Sequence, residues 1–374
     1  MRIAIDVLAL DQPFATGVEK TLLQLLASLD ALGGGDEFFL VAPKRPRLLP
    51  RELGPRFHLV ELAPRGRGLL WRERRVPPFA RRARIDLWHS PVQAIPLLLD
   101  RPKVATVHEL SWLEARGVGD EGSRAVRRMQ SLVVARAADR ILCVSRRTRD
   151  NFLCLHPGAE DRTVVLHHGV EARFREAVPR REHLEKAYGI PAEAPYLFTL
   201  GRALKRKGLP SAVRAFRVLL DRTGGPYLLV MAGPDNPRLR EAAAWAARLG
   251  LSHRLILPGY IAEEDLPALY AGAAAFLLPS ESEGFGLPLL EAMAAGTPVV
   301  ANRAAALPEV AGRGARLADF HHPAQVCAAL LEVLGPDREA WIERGRKRAA
   351  QFPADRPARF LLELWHEMAV EKTR

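Results

Sequence analysis

Cysteine is scarce in this chain, with Cys143, Cys154 and Cys327 the only three in 374 residues. An odd, sparse set with no paired spacing excludes a disulfide framework and offers no zinc-ligand pattern. Cys143 lies in an apolar run and reads as a small buried thiol. No stretch of about 18 apolar residues occurs, so no transmembrane helix is expected. The first residues, Met1 to Val7, hold no long apolar core and are interrupted by Asp6. They read as a first β-strand and not as a signal peptide. No Asp-x-Asp occurs anywhere, so a divalent ion held between two aspartates is not expected and no metal site is assigned. Repeats and low-complexity tracts are missing too. Aromatic residues make up only 7%, with little interleaving among basic residues and no RNA- or DNA-binding signature, so nucleic acid is not an expected partner. These absences leave an ordinary globular chain, expected in the cytoplasm.

What is present in excess is positive charge. The formal net charge is +12, and it is uneven. Residues 1–180 carry 30 Lys and Arg against 21 Asp and Glu, while residues 181–374 carry 25 against 22. Within Lys44–Arg84 there are 13 basic residues and three acidic ones, Glu52, Glu61 and Glu73. Such an excess by itself suits an anionic partner: a membrane surface, nucleic acid or a phosphorylated substrate. A solvated, arginine-rich surface accounts for it equally well. Trp71 and Phe79 are interleaved in that stretch, which suggests a segment able to rest on anionic lipid at the inner face of the plasma membrane.

Along the chain, short apolar runs alternate with amphipathic stretches. Arg2–Val7, Phe38–Ala42, Leu87–His89, Lys103–His108, Arg140–Val144 and Thr163–Leu166 read as strands. Gly17–Leu32 and Ser123–Ala138 read as helices between them. The polar, proline-containing stretch Glu171–Pro195 reads as a linker with one short helix. A second series then begins, with strands at Tyr196–Leu200, Tyr227–Met231, Leu255–Leu257, Ala275–Leu278 and Val299–Val300. Helices fall at Ser211–Leu220, Pro237–Leu249, Glu263–Ala273 and Pro288–Ala295, and a last amphipathic helix at Arg356–Val370. This β–α alternation predicts parallel sheets covered by helices on both faces. The fold class is therefore α/β, with two doubly wound halves and a ligand site at the carboxyl ends of their strands, in a cleft between them. The expected boundaries are 1–176, 177–352 and a terminal helix in 353–374.

Four segments carry the chemistry. In Leu278–Val300 a strand ends at Pro279, and a loop holding Gly284 and Gly286 leads into a helix with Pro288 near its start. Exposed backbone N–H groups at a helix N-terminus favour an anion such as a diphosphate. Glu283 on the loop and Glu291 on the helix, eight residues apart, can face one cleft, since helical side chains lean toward the N-terminus. Carboxylates accept hydrogen bonds from sugar and ribose hydroxyls. In Thr199–Gly208, Gly201 allows a turn, while Arg202 and Lys207 supply two cations able to neutralise a diphosphate leaving group in place of a metal. A solvated basic turn is the competing reading there. In Ala105–Leu110, His108 ends a strand, where a substrate-contacting residue belongs; Glu109 beside it is a weaker candidate. In Ala15–Lys20, Gly17 opens a helix where anions bind, but one glycine without G-x-G-x-x-G does not support a dinucleotide site.

With these residues in view, the chain resembles the family-4 retaining glycosyltransferases over nearly its whole length, most densely from Gly201 to Val310. That family has two Rossmann-like domains facing across a cleft, the GT-B fold. Glu283 and Glu291 match its E-x7-E motif. The resemblance implies that Glu283 contacts the donor sugar and Glu291 the ribose. Gly284, Phe285, Gly286 and Leu287 would line the sugar and phosphates, Arg202 and Lys207 would hold the diphosphate, and Tyr260 and Ile261 would pack by the base. Gly17 matches the first-loop glycine, and His108 the histidine near the sugar's primary hydroxyl. Val144-Ser145 and His168-Gly169-Val170 also match family landmarks. The chain departs from the family in having His168 where Asn is usual and Glu109 where Asp is usual. The implied activity is metal-independent transfer of a hexosyl group with retention, from a nucleotide sugar to a glycan or lipid-linked acceptor in cell-surface polysaccharide synthesis. GDP-mannose is the favoured donor and a UDP-sugar the next. The departing diphosphate would take the acceptor's proton, with fixed charges stabilising an oxocarbenium-like transition state. A nucleotide-sugar epimerase, or another enzyme on the same fold, is the alternative.

Overall fold

A computed structural model describes residues 1–63, 70–114, 124–200 and 204–371. The apolar runs become strands whose side chains are buried on both faces, as parallel sheets require. In the N-terminal half these are β1 (Arg2–Asp6), β2 (Glu37–Ala42), β3 (Phe57–Glu61), β4 (Leu87–Ser90), β5 (Lys103–Val107), β6 (Arg140–Cys143) and β7 (Thr163–Val165). The helices among them are α1 (Gly17–Leu32), α2 (Trp71–Arg82), α3 (Ser111–Glu114), α4 (Arg124–Ala137) and α5 (Arg146–Leu155). The second half continues with α6 (Ala172–Arg175), α7 (Arg181–Tyr188), β8 (Tyr196–Leu200), α8 (Leu209–Thr223), β9 (Leu228–Ala232), α9 (Pro237–Arg248) and β10 (Leu255–Ile256). It then runs through α10 (Leu266–Gly272), β11 (Ala275–Leu278), α11 (Leu287–Ala294), β12 (Val299–Asn302), α12 (Leu307–Ala311) and β13 (Arg316–Ala318). Three helices close the chain, α13 (Pro323–Leu334), α14 (Arg338–Ala349) and α15 (Arg356–Glu371).

Two units form. One contains Met1–Leu110, Glu121–Gly169 and the chain from Ala354; the other contains Val170–Pro353 together with α3. The first sheet has the order β3-β2-β1-β4-β5-β6-β7 and the second β10-β9-β8-β11-β12-β13. Every strand pairing is parallel. Each sheet therefore reverses its winding once, between β1 and β4 in the first and between β8 and β11 in the second. Ligands of open α/β sheets bind at such switch points, beyond the strands' carboxyl ends. Both halves are Rossmann-like α/β domains.

The first core gathers Ile3, Leu22, Leu26, Leu29, Phe38 and Leu40 with Leu361, Trp365 and Met368 of α15. The second gathers Leu197, Phe216, Leu229, Leu277 and Val300 with Phe320, Leu330 and Val333. Cys143 is fully buried, and burial pushes its thiol up to about 12. The basic segment corrects one expectation. Trp71 and Phe79 of α2 lie in the core beside Phe39, Val41 and Trp88, so these aromatics cannot rest on a lipid surface. They are drawn inward because α2 is amphipathic, and its exposed face carries Arg74, Arg81 and Arg82 instead. Residues 64–69 of that segment lie outside the described residues. Among the described residues, no helix is long and apolar enough to cross a membrane.

Trp365 of α15 has no exposure, with ring centroids 6.3 Å from Phe38 and 5.3 Å from His89. Trp365→Ala is expected to cost the first domain about 3–5 kcal/mol, the usual loss for a fully buried large aromatic. Urea unfolding followed by circular dichroism measures it. A loss below about 1 kcal/mol, the scale of a surface substitution, would show that α15 does not complete this core.

Candidate active site

The second sheet's switch point brings together two loops. The loop after β8 is a tight turn, Lys205–Lys207, closed by Gly208 at φ +63°. That left-handed backbone favours glycine. Space demands glycine as well, since a Cβ here would lie 2.6 Å from the Pro279 carbonyl oxygen. The turn thus sits directly on the end of β11. Three further bonds lock it there. The Glu281 amide donates to the Arg206 carbonyl at 2.7 Å, the Arg206 guanidinium donates to the Ser282 carbonyl at 2.8 Å, and the Lys207 ammonium donates to Glu283 Oε1 at 2.6 Å.

Glu283 is 8% exposed and the Lys207 side chain 14%. Burial pushes the Glu283 carboxyl upward, but the Lys207 ammonium and the Arg206 guanidinium, 3.9 Å from Oε2, outweigh it and hold the group below its ordinary value. It is therefore a carboxylate at neutral pH. The loop then passes Gly284 and the buried Phe285, whose ring meets Phe352 at 5.9 Å. Gly286 follows at φ +99°, capping the start of α11. A Cβ on Gly286 would strike Leu307 Cδ2 at 2.7 Å. Glu291, one turn into α11, is 5% exposed, and its Oε2 accepts from the Tyr270 hydroxyl at 2.9 Å. Gly259 stands beside the end of β9, its carbonyl accepting from the Gly233 amide at 2.9 Å. After it, Ile261 is buried while Tyr260 stays 41% exposed. Arg202, with Gly201, lies outside the described residues.

In the first domain, Gly17 opens α1, and a Cβ there would meet nothing within 4 Å. The chain itself thus sets no steric demand for glycine at that position. Thr16 and Glu19 form a capping box, with the Thr16 amide donating to Glu19 at 2.8 Å and its hydroxyl bonding the same carboxylate. His108 follows β5, and its Nε2 lies 2.7 Å from the Pro91 carbonyl. A carbonyl only accepts, so Nε2 carries the proton and Nδ1 of the neutral ring is an acceptor. Its ring stacks on His168 at 5.4 Å and 20°. Burial lowers the pKa of both rings; for His108 the Pro91 carbonyl and Glu19 work against it, and for His168 the charges of His108 and His167 add to it. His89, at the end of β4, is brought down to about 3 by burial, with His108 adding to the shift. All three line a pocket enclosing about 50 Å³, with Thr21, Gln24 and Thr106. Among the described residues, no group of three or more His, Cys, Asp or Glu could hold a metal ion.

The sequence reading missed three members of this arrangement. Arg206 reads as one more cation in a basic turn, and nothing local marks it as helping to tie the two loops through its carbonyl and guanidinium. Tyr270 reads as one more apolar position on a core helix. His89 reads as part of a short strand, and nothing local marks it as a pocket residue.

Two Rossmann-like domains, each with a single switch point, are the architecture called GT-B. The models described as "Glycosyltransferase Family 4" and "Glycosyl transferases group 1" match residues 15–174 and 180–348. The chain belongs to this glycosyltransferase family. It is 32% identical over 162 residues to the O-antigen chain mannosyltransferase B of Escherichia coli, covering 42% of each protein. The chain spans under half the length of the curated relatives it matches. Among solved structures, sucrose-phosphate synthase of Thermosynechococcus elongatus superposes with a TM-score of 0.78 at 19% identity, over 99% of both chains. Anabaena HepE in complex with UDP-glucose gives 0.77 at 18% identity, over 98% of this chain and all of that one. At such identities these likenesses speak to the fold alone.

The buried pair is open to a direct measurement. Lys207→Met should destabilise the second domain by about 3 kcal/mol, because it leaves a buried carboxylate without its main partner. Adding Glu283→Gln should recover more than half of that loss, as coupled neighbours do in a double-mutant cycle. Strict additivity in urea unfolding would mean that the two groups do not interact in solution.

Proposed function

We propose that this protein is a retaining glycosyltransferase that moves a hexosyl group from a nucleotide sugar to a glycan or lipid-linked acceptor in cell-surface polysaccharide synthesis. The observation that carries the reading is the Lys207–Glu283 pair at the second domain's switch point, beside the glycine-capped start of α11. A cation, a carboxylate and a helix N-terminus in one place suit a ligand that is part phosphate and part polyol. Lys207 and Arg202 neutralise the charge that develops on the departing diphosphate. That charge appears only as the glycosidic bond breaks, so its stabilisation lowers the barrier more than it tightens ground-state binding. Glu283 accepts from sugar hydroxyls, Glu291 from the ribose, and the chain at Tyr260 and Ile261 packs by the base. Gly284, Phe285, Gly286 and Leu287 line the sugar and phosphates. His108 and Gly17 are the first domain's substrate contacts. No side chain is assigned as a general base, because the leaving diphosphate takes the acceptor's proton, and no metal is required of the scheme. Mannose carried on GDP is the favoured donor, supported by likeness to a mannosyltransferase, and a UDP-sugar is the next.

A thermal-shift screen of UDP-, GDP-, ADP- and dTDP-sugars tests the donor. GDP-mannose should raise the melting temperature and Glu291→Ala should abolish the rise; a response to none of the four would sink the reading. NMR of the product then shows whether the anomeric configuration is kept. The exposed arginines of α2 offer an anionic membrane a basic face. Binding to vesicles containing phosphatidylglycerol should therefore weaken about a hundredfold or more on reversing Arg74, Arg81 and Arg82, each cation contributing about 1 kcal/mol. Sedimentation with vesicles that ignores the reversal would remove the membrane from the scheme.

A further inference from the structure

Tyr270 has no exposure, yet its hydroxyl is not idle. It donates to Glu291 Oε2 at 2.9 Å. The ring is clamped by Phe198 and Phe276, both at 5.1 Å, and by Phe174 at 5.9 Å. Its backbone is held as well, since the Thr297 hydroxyl, just past α11, donates to the Tyr270 carbonyl at 2.6 Å. The phenol therefore has little freedom, and neither has the carboxylate oxygen it grips. A core tyrosine of this size would ordinarily be satisfied by a backbone carbonyl, as Tyr196 is by Leu269 at 2.7 Å. Here the partner is instead a carboxylate on the helix that starts at the donor loop.

We propose that Tyr270 is a positioning residue, orienting the Glu291 carboxylate so that it accepts from the donor's ribose hydroxyls. This rests on the reading of Glu291 as the ribose contact. A carboxylate on a free side chain must give up rotamer freedom to meet a diol, and a buried partner that fixes the carboxylate plane beforehand removes that cost. Burial first, and then the Glu291 charge, raise the phenol's pKa well above its usual range, so it remains a donor across the working pH range. The expected signature is loss of ribose recognition without loss of catalysis.

Tyr270→Phe keeps the aromatic packing and removes only the hydroxyl. Calorimetric titration with GDP and UDP, and with their 2′,3′-dideoxy forms, reads the effect. The variant should bind the better ribonucleotide roughly tenfold more weakly, the worth of one hydrogen bond to a charged group. It should bind the deoxy forms as the unaltered protein does, which also shows that it is folded. In turnover, KM for the donor should rise while kcat stays within about twofold, as for lost uniform binding. An equal loss for ribo and deoxy ligands, or no loss at all, overturns the proposal. Glu291→Ala separates the two readings. If it leaves discrimination between ribo and deoxy forms intact, or if the unaltered protein binds neither GDP nor UDP, the ribose reading itself fails and the proposal falls with it. If Glu291→Ala abolishes discrimination and Tyr270→Phe does not, only the role of Tyr270 is lost.

Discussion

The second domain is organised around one buried ion pair. Lys207 and Glu283 are 76 residues apart in sequence and 2.6 Å apart in space. Taking two charges out of water is costly, and their attraction offsets the cost only when geometry and further hydrogen bonds are good. Here the surroundings meet that condition. The Arg206 guanidinium adds a second cation, its carbonyl receives the Glu281 amide, and Gly208 lets the turn rest on Pro279 without a side chain in the way. Together these contacts join two loops that belong to neighbouring strands of the sheet.

Gly208 and Gly286 both adopt positive φ, and at both a Cβ would strike an atom closer than 3 Å. One collision is with the backbone of β11's end and the other with Leu307, so each glycine marks a place where the loops are pressed onto the domain's own core. Gly17 is different in kind. Its backbone is ordinary and its surroundings are open. A glycine that packing requires and one that packing does not require look alike in a sequence. Only the distances separate them.

Much of the fold was legible because parallel strands are buried on both faces and appear as unbroken apolar runs. The elements that escaped were short or patterned differently. β3, a sheet-edge strand with one buried residue, carries His58 and Glu61 among its five. β13 has three residues, and α14 is strongly basic with a weak apolar stripe. α13 was a different failure, since Val326, Leu330 and Val333 recur at helical spacing and are buried. In the site, the loop glycines and Glu283 stood out because loop chemistry is local. The bond between Lys207 and Glu283 and that from Tyr270 to Glu291 did not, because each joins residues from different elements. Trp71 and Phe79 misled for a related reason. Aromatic residues among arginines look like a lipid-facing surface until the helix is turned and its buried face identified.

The two domains repeat one winding but arm it with opposite electrostatics. Around the second switch point the titratable groups are charged and paired. Near the first, the ends of β4 and β5 carry His89 and His108, with His168 stacked on His108, and burial keeps these imidazoles from charging. With its Nε2–H given to the Pro91 carbonyl, the neutral His108 ring keeps Nδ1 as an acceptor for a hydroxyl. A charged pair beside a helix N-terminus is matched to phosphate. On the proposed function, that division is what the chemistry needs. The leaving group gains charge as the glycosidic bond breaks and calls for fixed cations. The hydroxyl-bearing parts do not change charge, and contacts that stay neutral hold them without favouring a stray ion. The same scaffold can serve both tasks because its strands set positions only, leaving the polarity of each site to the few residues that follow the strand ends.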